Sequence, residues 1–293
     1  QDIFIAYPMV GSFRIERAIA LHRQMDRLIL AVDSLAGAVA LDRAAIAASV
    51  VLEVRLEIDT GAGRTGVPAE QAVAFATAVA KLPGLRLTGI YTFKSLVYQG
   101  KPTADNQLAA EEEGAMMAAV ARDVRAAGIE IQDISAGSSP TGIAVARTGL
   151  VNEIRPGTYI FKDALLMSEH AAAPDEIAVR FAATVVSTPR RGYAVIDGGT
   201  KAFPTDIPLH QPPLCAKGFA VIEGREDLHL SRMNEEHGIV TSETGDTGLQ
   251  VGDILTLIPL HVCTAVNQQN AVYLLGEDGT ITLHAVDARG MLV

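Results

Sequence analysis

Cysteine is scarce in this sequence: Cys215 and Cys263 are the only two in 293 residues. Two thiols cannot build a disulfide framework, which fits a reducing, cytoplasmic compartment. Positive charge is also short, with 24 lysines and arginines against 34 acidic residues and a net charge of −10. That leaves no basic stripe for nucleic acid or an anionic membrane, so neither partner is expected. No apolar run reaches the ~18–20 residues of a membrane span. Low-complexity segments are absent as well. A polar leader is missing too: the sequence opens at Gln1 directly in an apolar, β-like run. Natural N-termini are looser and more polar, so a further segment upstream is expected. The rest is globular in composition, 49% hydrophobic and 20% charged. The length suits one large domain or two ordinary ones.

Up to about residue 165, short β-rich runs alternate with alanine-rich helical stretches. The runs fall at residues 3–7, 28–32, 51–58, 87–92, 129–135 and 151–160, with helices near 14–24, 36–48, 69–82 and 106–127. Near-continuous apolar runs are the mark of strands buried on both faces of a parallel sheet. Alternation with long helices means repeated βαβ units. Six strands suffice for an open sheet. A closed (β/α)8 TIM-type barrel needs eight, which leaves two units, roughly 60–80 residues, unaccounted for. After about residue 172, helical patterns nearly vanish and short β runs separated by turn residues follow. They fall at 179–186, 192–196, 219–222, 254–258, 271–275 and 281–285. This is the pattern of a mostly antiparallel β domain. Domains of 1–170 and 171–293 are therefore expected, with the limit inside 168–175.

In parallel α/β barrels the chemistry lies at the C-terminal strand ends. After the third run comes Asp59-Thr60-Gly61-Ala62-Gly63-Arg64-Thr65-Gly66. A guanidinium in such a tight loop can pair with a phenolate, phosphate or carboxylate, or simply face solvent. Gly137-Ser138-Ser139-Pro140-Thr141 offers hydroxyls and glycine-flanked N–H groups, a cradle for phosphate or an ordinary polar turn. Around 156–159 lies Pro156-Gly157-Thr158-Tyr159, where glycine lets a ligand approach the backbone. In the β domain, Leu260-His261-Val262-Cys263 reads as strand, so His261 and Cys263 would share a face. Imidazole and thiolate suit zinc, and two protein ligands would leave positions open for water or substrate. A buried cysteine beside a satisfied histidine is the plain alternative. Asn234-Glu235-Glu236-His237-Gly238 is either a solvated turn or a proton-handling loop. Lys94 aims a charge at ligand or solvent near the barrel mouth; Cys215 is a packing residue.

Taken together these residues resemble the D-threonine aldolase and metal-dependent D-serine dehydratase branch of the alanine racemase-like, fold type III pyridoxal phosphate (PLP) enzymes. The Arg64 loop resembles the motif whose arginine contacts the PLP phenolic oxygen. The 137–141 loop resembles the phosphate-binding serine loop, which implies Ser138, Ser139 and Thr141. Asn152-Glu153-Ile154-Arg155-Pro156-Gly157-Thr158-Tyr159 is similar to the last barrel strand. It implies Arg155 at the pyridine nitrogen and Gly157, Thr158 and Tyr159 at the phosphate. Glu236-His237-Gly238 and His261-x-Cys263 are similar to that branch's metal-dependent members. There the His-x-Cys pair holds a zinc or manganese ion beside the cofactor, and His237 becomes a catalytic candidate. The resemblance implies a barrel of the alanine racemase type with a C-terminal β domain, usually a homodimer. It also implies a lyase acting on D-configured β-hydroxy amino acids, by dehydration or by retro-aldol cleavage. Two departures stand out. The family's PLP lysine belongs to the first barrel strand, so it is expected upstream of Gln1. Where many relatives carry a Tyr-x-Gly-His stretch, this chain has Tyr91-Thr92-Phe93-Lys94. An amino-acid racemase, a non-catalytic PLP- or phosphate-binding relative and a PLP-free metal hydrolase are the alternatives.

Overall fold

The computed structural model describes residues 1–291 and divides into two units, Gln1–Gly157 and the chain from Thr158 on. In the first unit the expected alternation forms. The elements are β1 (Asp2–Pro8), α1 (Ser12–His22), β2 (Arg27–Val32), α2 (Leu35–Ala47), β3 (Leu52–Asp59), a two-residue β4 (Val67–Pro68), α3 (Ala72–Val79) and β5 (Leu85–Tyr91). A small hairpin, β6 (Val97–Tyr98) and β7 (Lys101–Pro102), precedes α4 (Asn106–Ala126), β8 (Asp133–Ser135) and α5 (Gly142–Arg147). The long strands pair in parallel in the order β1-β2-β3-β5-β8, an arc of the barrel. Side-chain caps start two of the helices: Ser34 accepts the Gly37 N–H of α2, and Asp105 the Leu108 N–H of α4.

The two faces of β3 differ in kind. Leu52, Val54, Leu56 and Ile58 point to the helices and pack with Leu41, Ala45, Ala72, Ala76 and Val79. Glu53, Arg55 and Glu57 take the opposite face, as strand alternation requires. There Arg55, 2% exposed, pairs with Asp133 at 2.9 Å and Glu153 at 2.6 Å and lies over the Phe4 ring. Glu53 pairs with Arg27 at 2.8 Å and Arg86 at 2.5 Å. The inner face of the sheet is thus tied by ion pairs rather than filled by an apolar layer. The reading of β3 as a near-continuous apolar run missed this.

The expected sixth strand is shorter than its sequence pattern. Residues 152–155 run beside β8 through Asn152 N–H to Ile134 O (3.1 Å), Ala136 N–H to Glu153 O (3.0 Å) and Arg155 N–H to Gly137 O (3.1 Å). Only Ser135 and Glu153 form a full bridge. Asn152 takes over backbone work, its Oδ1 accepting from Ile134 N–H and its Nδ2 donating to Gln132 O. Pro156, with no N–H, ends the run.

The second unit starts with α6 (Ala164–Ser168), which packs with Ile177, Val179, Ile258, Leu260 and Val262. This packing explains why the division falls at 157/158 and not at the expected 170/171. Strands β9 (Phe181–Arg190), β10 (Tyr193–Ile196), β11 (Ala220–Ile222), β12 (Leu228–Met233), β13 (Gly238–Ser242) and β14 (Ile254–Pro259) close an antiparallel barrel in the order β10-β13-β12-β11-β14-β9. The β12–β13 hairpin was not expected, because Leu228-His229-Leu230-Ser231 alternates too briefly to read as a run. Helix α7 (Val262–Asn267) and a final hairpin, β15 (Ala271–Leu275) and β16 (Ile281–Ala285), follow. No helix among the described residues is long and apolar enough to cross a membrane.

Candidate functional site

At the C-terminal ends of the parallel strands, the first unit carries the Arg64 loop, the 137–141 loop and Arg155. The loop after β3 is held by carboxylates. Asp59 Oδ1 accepts Gly61 N–H and Gly63 N–H, and Glu57 accepts the Thr65 hydroxyl at 2.8 Å. Arg64 is exposed, with its guanidinium carbon 4.2 Å from the centre of the Phe93 ring, a cation–π contact that fixes its direction. Glu57 also accepts the buried Tyr91 hydroxyl at 2.7 Å. Burial, then that carboxylate, push the Tyr91 phenol well above its ordinary value. Thr60 and Thr92 join the ends of β3 and β5 through their hydroxyls, 2.7 Å apart.

Arg155 closes the arrangement. Its Nε donates to Ser135 Oγ at 2.8 Å, one terminal nitrogen donates to Thr92 O, and the guanidinium lies 5.1 Å from the Tyr91 ring centre. Those bonds use two of its five N–H groups, so it keeps donors for a ligand. Desolvation holds its pKa below the ordinary arginine value. In the 137–141 loop, Thr141 is fully buried, while Ser139 Oγ accepts Gly157 N–H at 3.1 Å. Gly137 has φ +91°, and an added Cβ would stand 2.9 Å from Gly142 Cα. Only glycine fits this turn. Thr158 and Tyr159 belong to the second unit, where the Tyr159 ring is exposed. Lys94 is buried and its ammonium pairs with Glu112. It therefore does not face solvent, as the sequence allowed.

In the second unit the His-x-Cys segment is not a strand. Strand β14 ends at Pro259, His261 is the N-cap of α7, and Cys263 sits in its first turn, exposed. The reason lies 99 residues away in sequence: Asp163 accepts Val262 N–H at 2.9 Å and starts the helix, while also capping α6 through Leu166 N–H. His261 and Cys263 still stand at the start of the same short helix. A hydrogen bond to Cys263, then the Asp206 carboxylate, raise the His261 pKa to about 9. Asp206 Oδ2 lies 2.5 Å from His261 Nδ1. A carboxylate on one ring nitrogen orients the imidazole and leaves the other for a metal. Imidazole plus thiol is a donor set that fits zinc. Among the described residues, no three histidine, cysteine or acidic side chains form a metal cage. His237 occupies the exposed β12–β13 turn, where its backbone oxygen accepts Asn234 N–H; Lys201 pairs with both Glu235 and Glu236.

Sequence reasoning missed Asp206, Asp163, Glu57 and Glu169. Asp206, Asp163 and Glu57 each reach a partner in a distant segment, and Glu169 is marked only by its burial. Glu169 is 6% exposed, and burial, then Asp163, lift its carboxyl to about 7. The raised value means that the folded protein holds this proton more tightly than the unfolded chain. Stability from this group is full below the ordinary value of 4.5 and is lost as pH rises through about 7. In metal-free buffer, stability relative to Glu169→Gln should therefore fall by about 2 kcal/mol between pH 5 and pH 8. Parallel urea titrations would show it; a constant difference across that range contradicts the burial argument.

Comparison with known proteins agrees with this fold. The alanine racemase N-terminal domain matches residues 7–164, and a serine dehydratase domain matches residues 178–275. D-threo-3-hydroxyaspartate dehydratase of Delftia sp. is 30% identical over 96% of this chain and 77% of its own length. D-threonine aldolase of Arthrobacter sp. is 25% identical over 99% of this chain and 74% of its own. A solved structure of a D-threo-3-hydroxyaspartate dehydratase, a cysteine-to-alanine variant in the metal-free form, superposes with a TM-score of 0.84 at 28% identity. It covers 97% of this chain and 78% of that one. These relatives are dehydratases and aldolases of D-amino acids. With its half-barrel of parallel strands, its closed antiparallel barrel and both domain matches, the chain belongs to the D-threonine aldolase and D-serine dehydratase family of the alanine racemase fold.

Proposed function

We propose that this protein is a PLP- and divalent-metal-dependent lyase acting on D-configured β-hydroxy amino acids. The observation that carries the reading is His261, gripped at Nδ1 by Asp206 and placed at the start of the same short helix as the Cys263 thiol. A racemase has no use for an imidazole–thiol pair, whereas a lyase that labilises a β-hydroxyl does. The metal-free description of a cysteine variant among the relatives supports the same assignment.

Arg64 and Arg155 would hold the cofactor ring, with Ser138, Ser139, Thr141, Gly157, Thr158 and Tyr159 around its phosphate. His261 and Cys263 would hold zinc or manganese, and substrate and the family's homodimeric assembly belong to the same reading. When bound, PLP supplies an electron sink for bonds at the substrate's Cα, and the ion supplies Lewis acidity toward an oxygen. This chain's residues do the rest. Arg155 is fixed by Ser135, Thr92 and Tyr91 and stays cationic, so it places positive charge without delivering a proton. Glu57 holds Tyr91 and Thr65, and with them the entry to the Arg64 loop. Asp206 keeps the imidazole in one orientation.

The relatives are both dehydratases and aldolases, and His-x-Cys leans toward dehydration. The test is to give the intact protein D-serine, D-threonine and D-threo-3-hydroxyaspartate, each beside its enantiomer, and to identify products. Keto acid and ammonia mean dehydration; glycine and an aldehyde mean aldol cleavage. Interconversion of enantiomers without either product set would replace the reading with a racemase.

A further inference from the structure

One buried acid in the first unit plays no part so far. Glu113 lies on α4, is completely buried and forms no ion pair among the described residues, although the charges of Lys94 and Arg155 act on it. Its Oε1 accepts Gly137 N–H at 3.0 Å and its Oε2 accepts the Thr141 hydroxyl at 3.2 Å. Thr141 Oγ1 in turn accepts Ser138 N–H at 3.0 Å and lies 3.2 Å from Ser138 Oγ. A hydroxyl has one proton and two lone pairs. With its proton committed to Glu113, Thr141 has both lone pairs turned to Ser138. The bonds therefore run one way, from Ser138 through Thr141 to Glu113.

Burying a carboxylate is costly, and desolvation does push the Glu113 carboxyl up. The loop nevertheless calls for such a group. Two donors, one from backbone and one from a hydroxyl, converge on the same point, and only a carboxylate presents two acceptor oxygens and no donor. Gly137 at φ +91° would otherwise leave its N–H without an acceptor.

We infer that Glu113 is a positioning residue for a phosphate monoester, acting through Gly137 and Thr141 to fix the 136–142 loop in its ligand-binding form. This rests on the reading of that loop as the phosphate cradle. It also reassigns Thr141 and the Ser138 N–H: both are consumed inside the loop and hold it from below. Ser139 and Gly157, joined at 3.1 Å, form its outer side.

The test compares PLP with pyridoxal, which lacks only the phosphate, by spectroscopic titration of the intact protein. The wild type should prefer PLP by about a hundredfold or more, the scale of a charge-assisted hydrogen-bond set. Glu113→Ala and Thr141→Val should each cut that preference about tenfold while pyridoxal affinity stays the same. Thr141→Ser, which keeps the hydroxyl, should restore it. The phosphorus NMR line of bound PLP should move in Glu113→Ala and Thr141→Val and return in Thr141→Ser. Should Glu113→Ala not fold, the Thr141 pair decides alone. An unchanged preference in folded variants overturns the role of Glu113 while leaving the cradle standing. Equal affinity of the wild type for PLP and pyridoxal overturns the cradle itself, and the inference with it.

Discussion

Alanine at His261 or at Cys263 is expected to lower lyase turnover by about three orders of magnitude, the scale of a lost Lewis acid contribution of several kcal/mol. Both side chains are at least partly exposed and start a six-residue helix. The thermal midpoint should therefore barely move, which separates a chemical loss from unfolding. Asp206→Asn should fall between the wild type and the alanine variants, because it leaves the imidazole in place and removes only what orients it. Metal content after dialysis should follow the same ranking. Full turnover by folded His261→Ala and Cys263→Ala would remove the metal from the account.

Arg55→Met should destabilise the first unit by about 3 kcal/mol, because it leaves Asp133 and Glu153 without their shared cation beneath the parallel sheet. The upper part of the usual range is not expected, since Glu153 is about one-third exposed and Asp133 keeps Arg27 at 3.3 Å. Adding Glu153→Gln should recover part of the loss, because the neutral amide no longer needs the cation. Urea midpoints of the two single variants and the double variant form the cycle. Additive effects would mean that the pair is not coupled and that the inner ion network is ornamental.

Much of this was legible because it is local. The βα alternation, the glycine-bracketed Arg64 loop, the serine loop and the Arg155 segment each lie within a dozen residues, and each forms where its pattern sits. The β12–β13 hairpin was not, since two short alternating segments carry little signal. Neither was the start of α7. Its residues read as a continuation of β14, and the Asp163 carboxylate that turns them into a helix comes from another part of the chain. The supporting carboxylates share this trait. Glu113 reaches Gly137 across 24 residues, and Asp206 reaches His261 across 55. Sequence spacing marks groups that meet a ligand together; it does not mark the groups that hold them from behind. The charged face of β3 was visible in Leu52-Glu53-Val54-Arg55-Leu56-Glu57, whose strict alternation an apolar count passes over.

The most direct single test is turnover of D-threo-3-hydroxyaspartate by the intact protein with PLP, before and after chelation. Products released from the D-enantiomer alone, lost on chelation and restored by manganese or zinc, are the predicted result. Turnover that survives complete chelation, or acts on both enantiomers alike, would contradict the account.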